Sequence, residues 1–154
     1  MKFFYLVICS LLFTPQILLA EEPVNVSYFG STAIGGHDSK AYHALSRGDE
    51  ARKGSKQFVV EWKGAKWQFL SAEDSQQFAA SPEKYAPAYN GFCANALSLG
   101  EGLVKANGKY WAVFNEQLYL FYAPRGAQRW LDGDYSVYKR EADQAWALIV
   151  ESKN

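Results

Sequence analysis

Apolar and polar residues alternate along two stretches of the chain in the pattern of a β-hairpin. In residues 58–69, apolar side chains recur at every second position on both sides of Gly64. In residues 110–122, two segments rich in aromatic and β-branched residues meet at Asn115 and Glu116. Alternation with a period of two is typical of strands with one buried face. The pattern therefore predicts two antiparallel hairpins.

Helices are predicted after each hairpin. Ser71 is followed by two acidic residues, and its hydroxyl can accept a backbone N–H of the first turn. Pro82 ends that helix. Residues 124–131 form a second, short helix, and a last helix begins near Asp134 or Ser136. The apolar stripe of the last helix consists of Tyr138, Ala142, Ala145, Trp146 and Ile149.

These elements predict an α+β fold with one domain, in which a small antiparallel sheet built from two β-hairpins packs with helices. Residues 1–20 are predicted to be a signal peptide, residues 21–34 a loose N-terminal lead-in, and residues 35–152 the folded domain. A polar stretch over residues 46–56 precedes the first hairpin. The glycine-flanked segment around Cys93 is predicted to be a loop.

The first twenty residues have the pattern of a secretory signal peptide. Lys2 precedes a short apolar run at residues 3–13, Pro15 interrupts the apolar segment, and Ala20 stands before two glutamates. This order predicts cleavage after Ala20 and a periplasmic or secreted location. The run is short for a membrane span, so no membrane association is expected after cleavage, and an uncleaved anchor is the open alternative.

The charge of the chain from residue 21 onward is nearly balanced, with 15 lysines and arginines against 16 acidic residues. Binding to nucleic acid or to anionic lipid would require a basic excess or a polybasic stripe. The sequence has neither feature, so nucleic acid is not expected as a partner. The 134 residues from position 21 are enough to bury a core without disulfides.

Three side chains are the candidate metal ligands: Cys93, His37 and His43. From residue 21 onward the sequence has no second cysteine and no methionine, which excludes paired-cysteine zinc sites within one chain and thioether copper sites. One thiolate with up to two imidazoles suits copper or zinc better than calcium or magnesium. The two histidines can converge if their segment is extended or turned, but not if it is one helix.

Each candidate also has a plain structural interpretation. Cys93 has apolar neighbours and can be a packed core thiol. The two histidines can be one surface side chain and one partly buried side chain. Nucleophilic catalysis by Cys93 would need an oriented histidine, and Asp38 beside His37 is available to orient it. The sequence around Cys93 does not match a known cysteine-protease signature.

Three blocks of the sequence resemble the YHS-domain family, in the longer stand-alone form that bacteria often secrete. They are residues 36–42 (GHDSKAY), residues 62–69 (WKGAKWQF) and residues 81–94 (SPEKYAPAYNGFCA). The third block is the most specific, and residues 118–120 and 142–146 match the C-terminal half of that form. The resemblance covers residues 28–146.

The resemblance implies a metal-associated module, with copper as the usual metal. The short modules of the family carry a Cys-x3-Cys pair, and those positions hold Leu70 and Asp74 here. The thiolate site of the short form is therefore missing. Cys93 lies inside the best-matching block, His37 takes the family's aromatic-or-histidine position, and His43 replaces a sulfur ligand with a nitrogen ligand.

We therefore expect a secreted or periplasmic protein that binds a transition metal, with copper as the expected ion, for storage or handling rather than catalysis. Cys93 is the first expected ligand, His37 the second and His43 the third, and a homodimer with two facing Cys93 thiolates would complete the site. The alternative is a binding or interaction module without metal, in which Cys93 is a buried core thiol. An enzyme, either a thiol hydrolase or a copper-dependent oxidant, is the third interpretation.

Overall fold

Two antiparallel hairpins supply the strands of the fold in this computed structural model, which describes residues 22–153. The first hairpin pairs β1 (Ser55–Trp62) with β2 (Ala65–Phe69), and the second pairs β3 (Tyr110–Phe114) with β4 (Gln117–Phe121). Both lie where the alternation of apolar residues predicts them, and the α+β class is confirmed. The hairpins form two separate two-stranded sheets and do not share one sheet.

Four of the five α-helices in the described residues begin at polar caps or at prolines, and the fifth begins after Cys93 without a side-chain cap. In the described part of the chain they are α1 (Ala72–Ala80), α2 (Pro82–Tyr85), α3 (Ala94–Ser98), α4 (Pro124–Asp132) and α5 (Tyr135–Glu151). Ser71 begins α1 as predicted, since its hydroxyl accepts the backbone N–H of Asp74 at 3.0 Å. The carboxylate of Asp134 caps α5 in the same way. Among residues 22–153, no helix has the length and hydropathy needed to cross a membrane.

The sheet of β3 and β4 lies between two hydrophobic cores. Leu118 and Leu120 of β4 pack into a first core, which is built on the first hairpin and α1. Tyr119 and Phe121 point to the opposite face and pack into a second core, which is built on α3, α4 and α5. A strand that is buried on both faces requires a continuous apolar run instead of strict alternation. The run of four apolar residues in β4 meets that requirement and joins the two cores.

The segment before the domain is docked, although the sequence predicts a loose lead-in over residues 21–34. Asn25 is buried, and its side-chain amide donates to the backbone carbonyls of Gly91 at 2.8 Å and Ala106 at 2.6 Å. Hydrogen bonds from a buried side chain to two distant segments fix the path of the lead-in. The predicted signal peptide, residues 1–20, lies outside the described residues.

Asp38 ties the segment that carries His37 to the first hairpin. One oxygen of the buried carboxylate accepts from the backbone N–H groups of Lys40 (2.9 Å) and Ala41 (3.1 Å), and the other accepts from Leu70 (2.8 Å), just after β2. Burial raises the pKa of Asp38, and the three donors act in the opposite direction. The carboxylate oxygens are therefore occupied by backbone donors and do not orient the ring of His37.

Candidate functional site

His37 stands at the base of a cavity of about 660 Å³, which lies between the loop of residues 46–54, β3 and α4. A short 3₁₀ turn over Ile34–Gly36 precedes the histidine, and backbone pairing with Lys53 joins it to the loop. The histidine is only 6% exposed. The loop that the sequence shows as a polar stretch therefore forms one side of a cavity over a buried imidazole.

One hydrogen bond fixes the ring of His37. Its Nδ1 lies 3.1 Å from the carbonyl oxygen of Ile34, and because a carbonyl can only accept, Nδ1 carries the proton. Within residues 22–153, the buried side-chain polar atoms without a partner are Ser39 Oγ and Trp130 Nε1. Nε2 of His37 makes no hydrogen bond to the described residues and is not among those buried atoms. Nε2 is therefore not fully buried, and His37 is one of the residues that line the cavity.

Gly108 determines how closely the backbone approaches this ring. A Cβ atom at position 108 would lie 2.4 Å from Nδ1 of His37, and the glycine has a left-handed φ of +81°. The hydroxyl of Tyr42 donates to the carbonyl of Gly108 at 2.6 Å and holds this segment in place. A glycine is required here both by the backbone conformation and by the contact with the imidazole.

The surroundings of His37 favour the neutral ring. Burial lowers the pKa of the imidazole, the positive charges of Lys53 and Lys109 lower the pKa further, and the hydrogen bond to Ile34 partly opposes them. A neutral imidazole that donates from Nδ1 to a backbone carbonyl presents Nε2 as an acceptor. The same arrangement is common in histidines that bind metals, so the ring geometry alone suits either a metal or an organic ligand.

The cavity has an apolar wall and a charged rim. Trp111 of β3 and the side chains of Ala127 and Leu131 of α4 form the wall. The charged side chains on the rim are exposed: Arg47, Asp49, Glu50 and Lys109. Small-molecule sites combine such apolar walls with a few directed polar groups, in volumes of roughly 300–1,000 Å³. The cavity over His37 has this size, and its lining combines these apolar residues with a larger share of polar and charged ones.

Cys93 lies in the second core and not in an open loop. It is the residue before α3, and its backbone N–H donates to the carbonyl of Val104 at 2.8 Å. Its Sγ accepts the backbone N–H of Tyr122 at 3.3 Å, and the residue is 4% exposed. The sequence prediction of a loop around Cys93 missed the five-residue helix that follows it. The position agrees with the interpretation of Cys93 as a core thiol.

A second, smaller cavity of about 410 Å³ reaches Cys93. Leu99 and Tyr122 stand at its rim with more than half of their surface exposed, and Arg125 and Arg129 of α4 also line it. In contrast, the cavity over His37 is lined by other residues of α4. Cys93 and His37 therefore belong to two different cavities.

His43 lies on the surface, away from both cavities. It sits in a 3₁₀ turn over Ala41–Ala44, and its exposed ring meets that of Tyr85 edge-on, with 6.2 Å between the centroids. The sequence predicts that the two histidines converge only if their segment is extended or turned. The segment does turn, but His43 packs on Tyr85 of α2 while His37 enters the cavity.

The three candidate ligands do not form one metal site within the described chain. Nowhere in residues 22–153 do three or more histidine, cysteine, aspartate or glutamate side chains form a group that could hold a metal ion. A trigonal site of Cys93, His37 and His43 in a single chain does not fit these positions. Copper binding through fewer ligands, or between two chains, stays a prediction.

The comparisons with known proteins add no relative. No family model matches the chain, and neither the search of curated proteins nor the search of solved structures finds a match. The resemblance to the YHS-domain family therefore stays a prediction.

Most of the residues around His37 are not predicted from the sequence. Lys109 and Trp111 reach the cavity from a distant segment of the chain, and Lys53 pairs with the backbone of His37 from another segment. The sequence feature that indicates a functional loop is the polar stretch 46–56, because it is longer and more mixed in charge than a short connection between two elements. The placement of that stretch over His37 follows from tertiary contacts alone.

Proposed function

We propose that the protein is a non-catalytic binding module that takes a small molecule in the cavity over His37, in the periplasm or outside the cell. The observation that carries the proposal is the ring of His37, which lines a cavity of about 660 Å³ while its Nδ1 donates to Ile34, so that Nε2 is left as the acceptor for a ligand. Cys93 is a core thiol in this proposal. The secreted location rests on the signal-peptide pattern of residues 1–20.

Binding explains the site better than catalysis does. Acid–base catalysis by a histidine usually relies on a further group that orients it or shares the proton, and the carboxylate of Asp38 is held by three backbone donors instead. Nucleophilic catalysis would need Cys93 next to a histidine, but the thiol lines the other cavity. A fixed acceptor beside an apolar wall orients a ligand without any of these partners.

The proposal is tested with 1-anilinonaphthalene-8-sulfonate, an apolar fluorophore that carries one negative charge. We expect saturable binding of one fluorophore per chain to the purified protein, with energy transfer from the tryptophans, of which Trp111 lines the cavity. Gln128→Phe places a bulky side chain on the cavity from the exposed side of α4 and should weaken binding about tenfold or more. Gln76→Phe, exposed on α1, is the matched control and should bind like the wild type.

Binding to a partly unfolded chain is the main artefact of this fluorophore, because loosely packed states also bind it. Near-ultraviolet circular dichroism and a cooperative thermal transition should therefore be recorded for each variant. Equal affinity of Gln128→Phe and the wild type, with both chains folded, would mean that the cavity is not the site.

Copper binding at Cys93 is the second candidate. The observation that favours it is the position of Cys93 Sγ, which lines a cavity and receives a backbone N–H from Tyr122. Cu(I) prefers soft thiolate ligands. In this candidate a homodimer supplies two thiolates, one from each chain.

Copper retention separates the two candidates. The purified protein is loaded with copper under reducing conditions and desalted, and metal per chain is then measured for the wild type, Cys93→Ser and His37→Ala. Copper that is retained by the wild type and lost in Cys93→Ser would support the second candidate. Absence of retained copper, together with a native thiol that does not react with a thiol reagent, would leave the small-molecule proposal alone.

A further inference from the structure

We propose that the cavity over His37 takes an α-hydroxy carboxylic acid with an apolar or aromatic body. The inference rests on the proposed function and adds the chemical class of the ligand. Three features of the cavity match the three parts of such a molecule: an acceptor for the hydroxyl, positive charge for the carboxylate and an apolar wall for the body.

The acceptor is Nε2 of His37. Because Nδ1 donates to the carbonyl of Ile34, the neutral ring can only accept at Nε2. A ligand atom that meets it must carry a proton, as a hydroxyl does. Since the imidazole is buried, leaving Nε2 without a donor in a closed complex would cost affinity. The site therefore selects for a hydrogen-bond donor at this point.

The positive charge in the cavity comes from Lys109, and Lys53 lies beside His37 without lining the cavity. Lys53 pairs with the backbone of His37, and Lys109 follows Gly108, which lies against the imidazole. Both lysines act on His37 as nearby cations, and in residues 22–153 neither forms an ion pair. The uncommitted ammonium group of Lys109, in a cavity that also offers a neutral acceptor, suits a ligand that carries a carboxylate close to a hydroxyl.

The apolar wall comes from Trp111 with Leu131. The indole of Trp111 is half-buried, and it is held by an edge contact with Tyr42 at 5.6 Å and by a hydrogen bond from Nε1 to the carbonyl of Asp49 at 3.3 Å. Leu131 of α4 also lines the cavity. A held aromatic face beside an aliphatic side chain favours an apolar or aromatic ligand body.

Two acids on the same rim oppose the positive charge only in part. Asp49 accepts the backbone N–H of Ser46 at 2.7 Å and is thus turned back onto its own loop. Glu50 is exposed and forms no ion pair within the described residues. These acids would favour an ammonium group on the ligand. The test therefore includes a probe that carries an ammonium group.

Four probes of nearly equal size separate the three features. They are 3-phenyllactate, 3-phenylpropanoate without the hydroxyl, 3-phenyllactamide without the charge, and phenylalanine with an ammonium in place of the hydroxyl. Each is titrated against the fluorophore complex described above, up to about 10 mM, which covers the affinity of ligands of about a dozen heavy atoms. We expect 3-phenyllactate to bind about tenfold tighter than 3-phenylpropanoate and 3-phenyllactamide, which each lack one contact, and phenylalanine to bind no tighter than 3-phenyllactate.

Two variants assign the contacts. Lys109→Met should reduce the preference for 3-phenyllactate over 3-phenyllactamide to about twofold or less. His37→Phe should reduce the preference for 3-phenyllactate over 3-phenylpropanoate to about twofold or less. Lys56→Met, on β1 and outside both cavities, is the control for a general loss of positive charge. A structural role alone would weaken all four probes equally.

The outcomes distinguish this inference from the proposed function. If the fluorophore binds in the cavity but 3-phenyllactate binds no better than 3-phenyllactamide or 3-phenylpropanoate, the ligand class is wrong and the binding site stands. If phenylalanine binds tighter than 3-phenyllactate, Asp49 and Glu50 set the specificity and the class is also wrong. If Gln128→Phe leaves the affinity for the fluorophore unchanged, the site itself is wrong.

Discussion

At the scale of single residues, several constrained contacts surround one imidazole. His37 donates to Ile34 on one side and lies against Gly108 on the other, while Asp38 secures the next position through three backbone donors. Each contact limits the movement of the ring, which makes Nε2 a fixed acceptor. A fixed acceptor lowers the conformational cost of binding a ligand.

Gly108→Ala should therefore lower the free energy of unfolding by more than the same substitution at another left-handed glycine. Both Gly108 (φ +81°) and Gly100 (φ +72°) are left-handed, but a Cβ atom would touch His37 only at position 108 and meets nothing within 4 Å at position 100. Gly100→Ala should lower the free energy of unfolding by about 1 kcal/mol. Gly108→Ala should lower it by about 1–3 kcal/mol more, because it also overpacks the ring.

Urea unfolding of both variants measures the difference, and binding of the fluorophore reports on the ring. Equal losses of stability in Gly108→Ala and Gly100→Ala would contradict the proposed contact between position 108 and His37.

The titration of His37 should make stability depend on pH near neutrality. Burial lowers the pKa of His37 in the folded chain below the ordinary 6.5, so the unfolded chain binds more protons in the window just below that value. Stability should therefore fall as the pH decreases through about 6.5 and should be constant above it. Asp38, whose pKa is raised, contributes in the opposite direction at more acidic pH.

Denaturant unfolding between about pH 5.5 and 7.5 tests this expectation. The comparison is best made in a His43→Gln background, because the sequence contains two histidines and His37 then titrates alone in this range. Adding His37→Gln should flatten the profile. If His37→Gln left the slope of stability against pH unchanged, the folded and the unfolded chain would bind the proton of His37 with equal affinity.

At the scale of elements, the helices are specified mainly by their first residues. Ser71 accepts from Asp74 at the start of α1, and Asp134 accepts from Ser136 and Val137 at the start of α5. Caps of this kind satisfy backbone donors that the helix cannot satisfy itself. They act locally, so that the beginnings of these two helices can be found in the sequence.

Ser71→Ala should lower the free energy of unfolding by about 1 kcal/mol, because the N–H of Asp74 loses its acceptor. Ser75→Ala in the same helix is the matched control. Ser75 donates to the carbonyl of Ala72, and an alanine there should change stability by a few tenths of a kcal/mol at most, in the favourable direction. Chemical unfolding midpoints compare the two. A larger loss for Ser75→Ala would contradict the assignment of Ser71 as the cap.

At the scale of the whole molecule, β4 couples the two cores. Leu118 and Leu120 belong to the first core, and Tyr119 and Phe121 belong to the second. Neither core can lose its packing without exposing one face of the same strand. The two halves should therefore unfold together, and the cavity over His37, which lies between β3, α4 and the loop of residues 46–54, should be lost in the same step.

Calorimetry of Leu118→Ala tests this coupling. The substitution removes fully buried atoms from the first core and should cost about 2–5 kcal/mol. We expect one transition at a lower temperature, with a calorimetric enthalpy equal to the van't Hoff enthalpy. Leu148→Ala, on an exposed position of α5, should leave the transition nearly unchanged. Two resolved transitions in Leu118→Ala would mean that the cores unfold independently.

The local part of the fold was determined by the sequence. Both hairpins, the start of α1 at Ser71 and the start of α5 at Asp134 follow from periodicity and capping, which involve residues close together in the chain. The sequence also singled out His37 as a candidate, because histidines are few and chemically versatile.

Tertiary structure alone decided where the candidate residues meet. Cys93 packs in the second core because its segment lies beside β4, and His37 enters a cavity because the loop of residues 46–54 and Lys109 come to it from distant positions. The docking of Asn25 and the burial of β4 on both faces have the same origin. Such contacts join segments that share no local pattern, so periodicity and spacing carry no information about them.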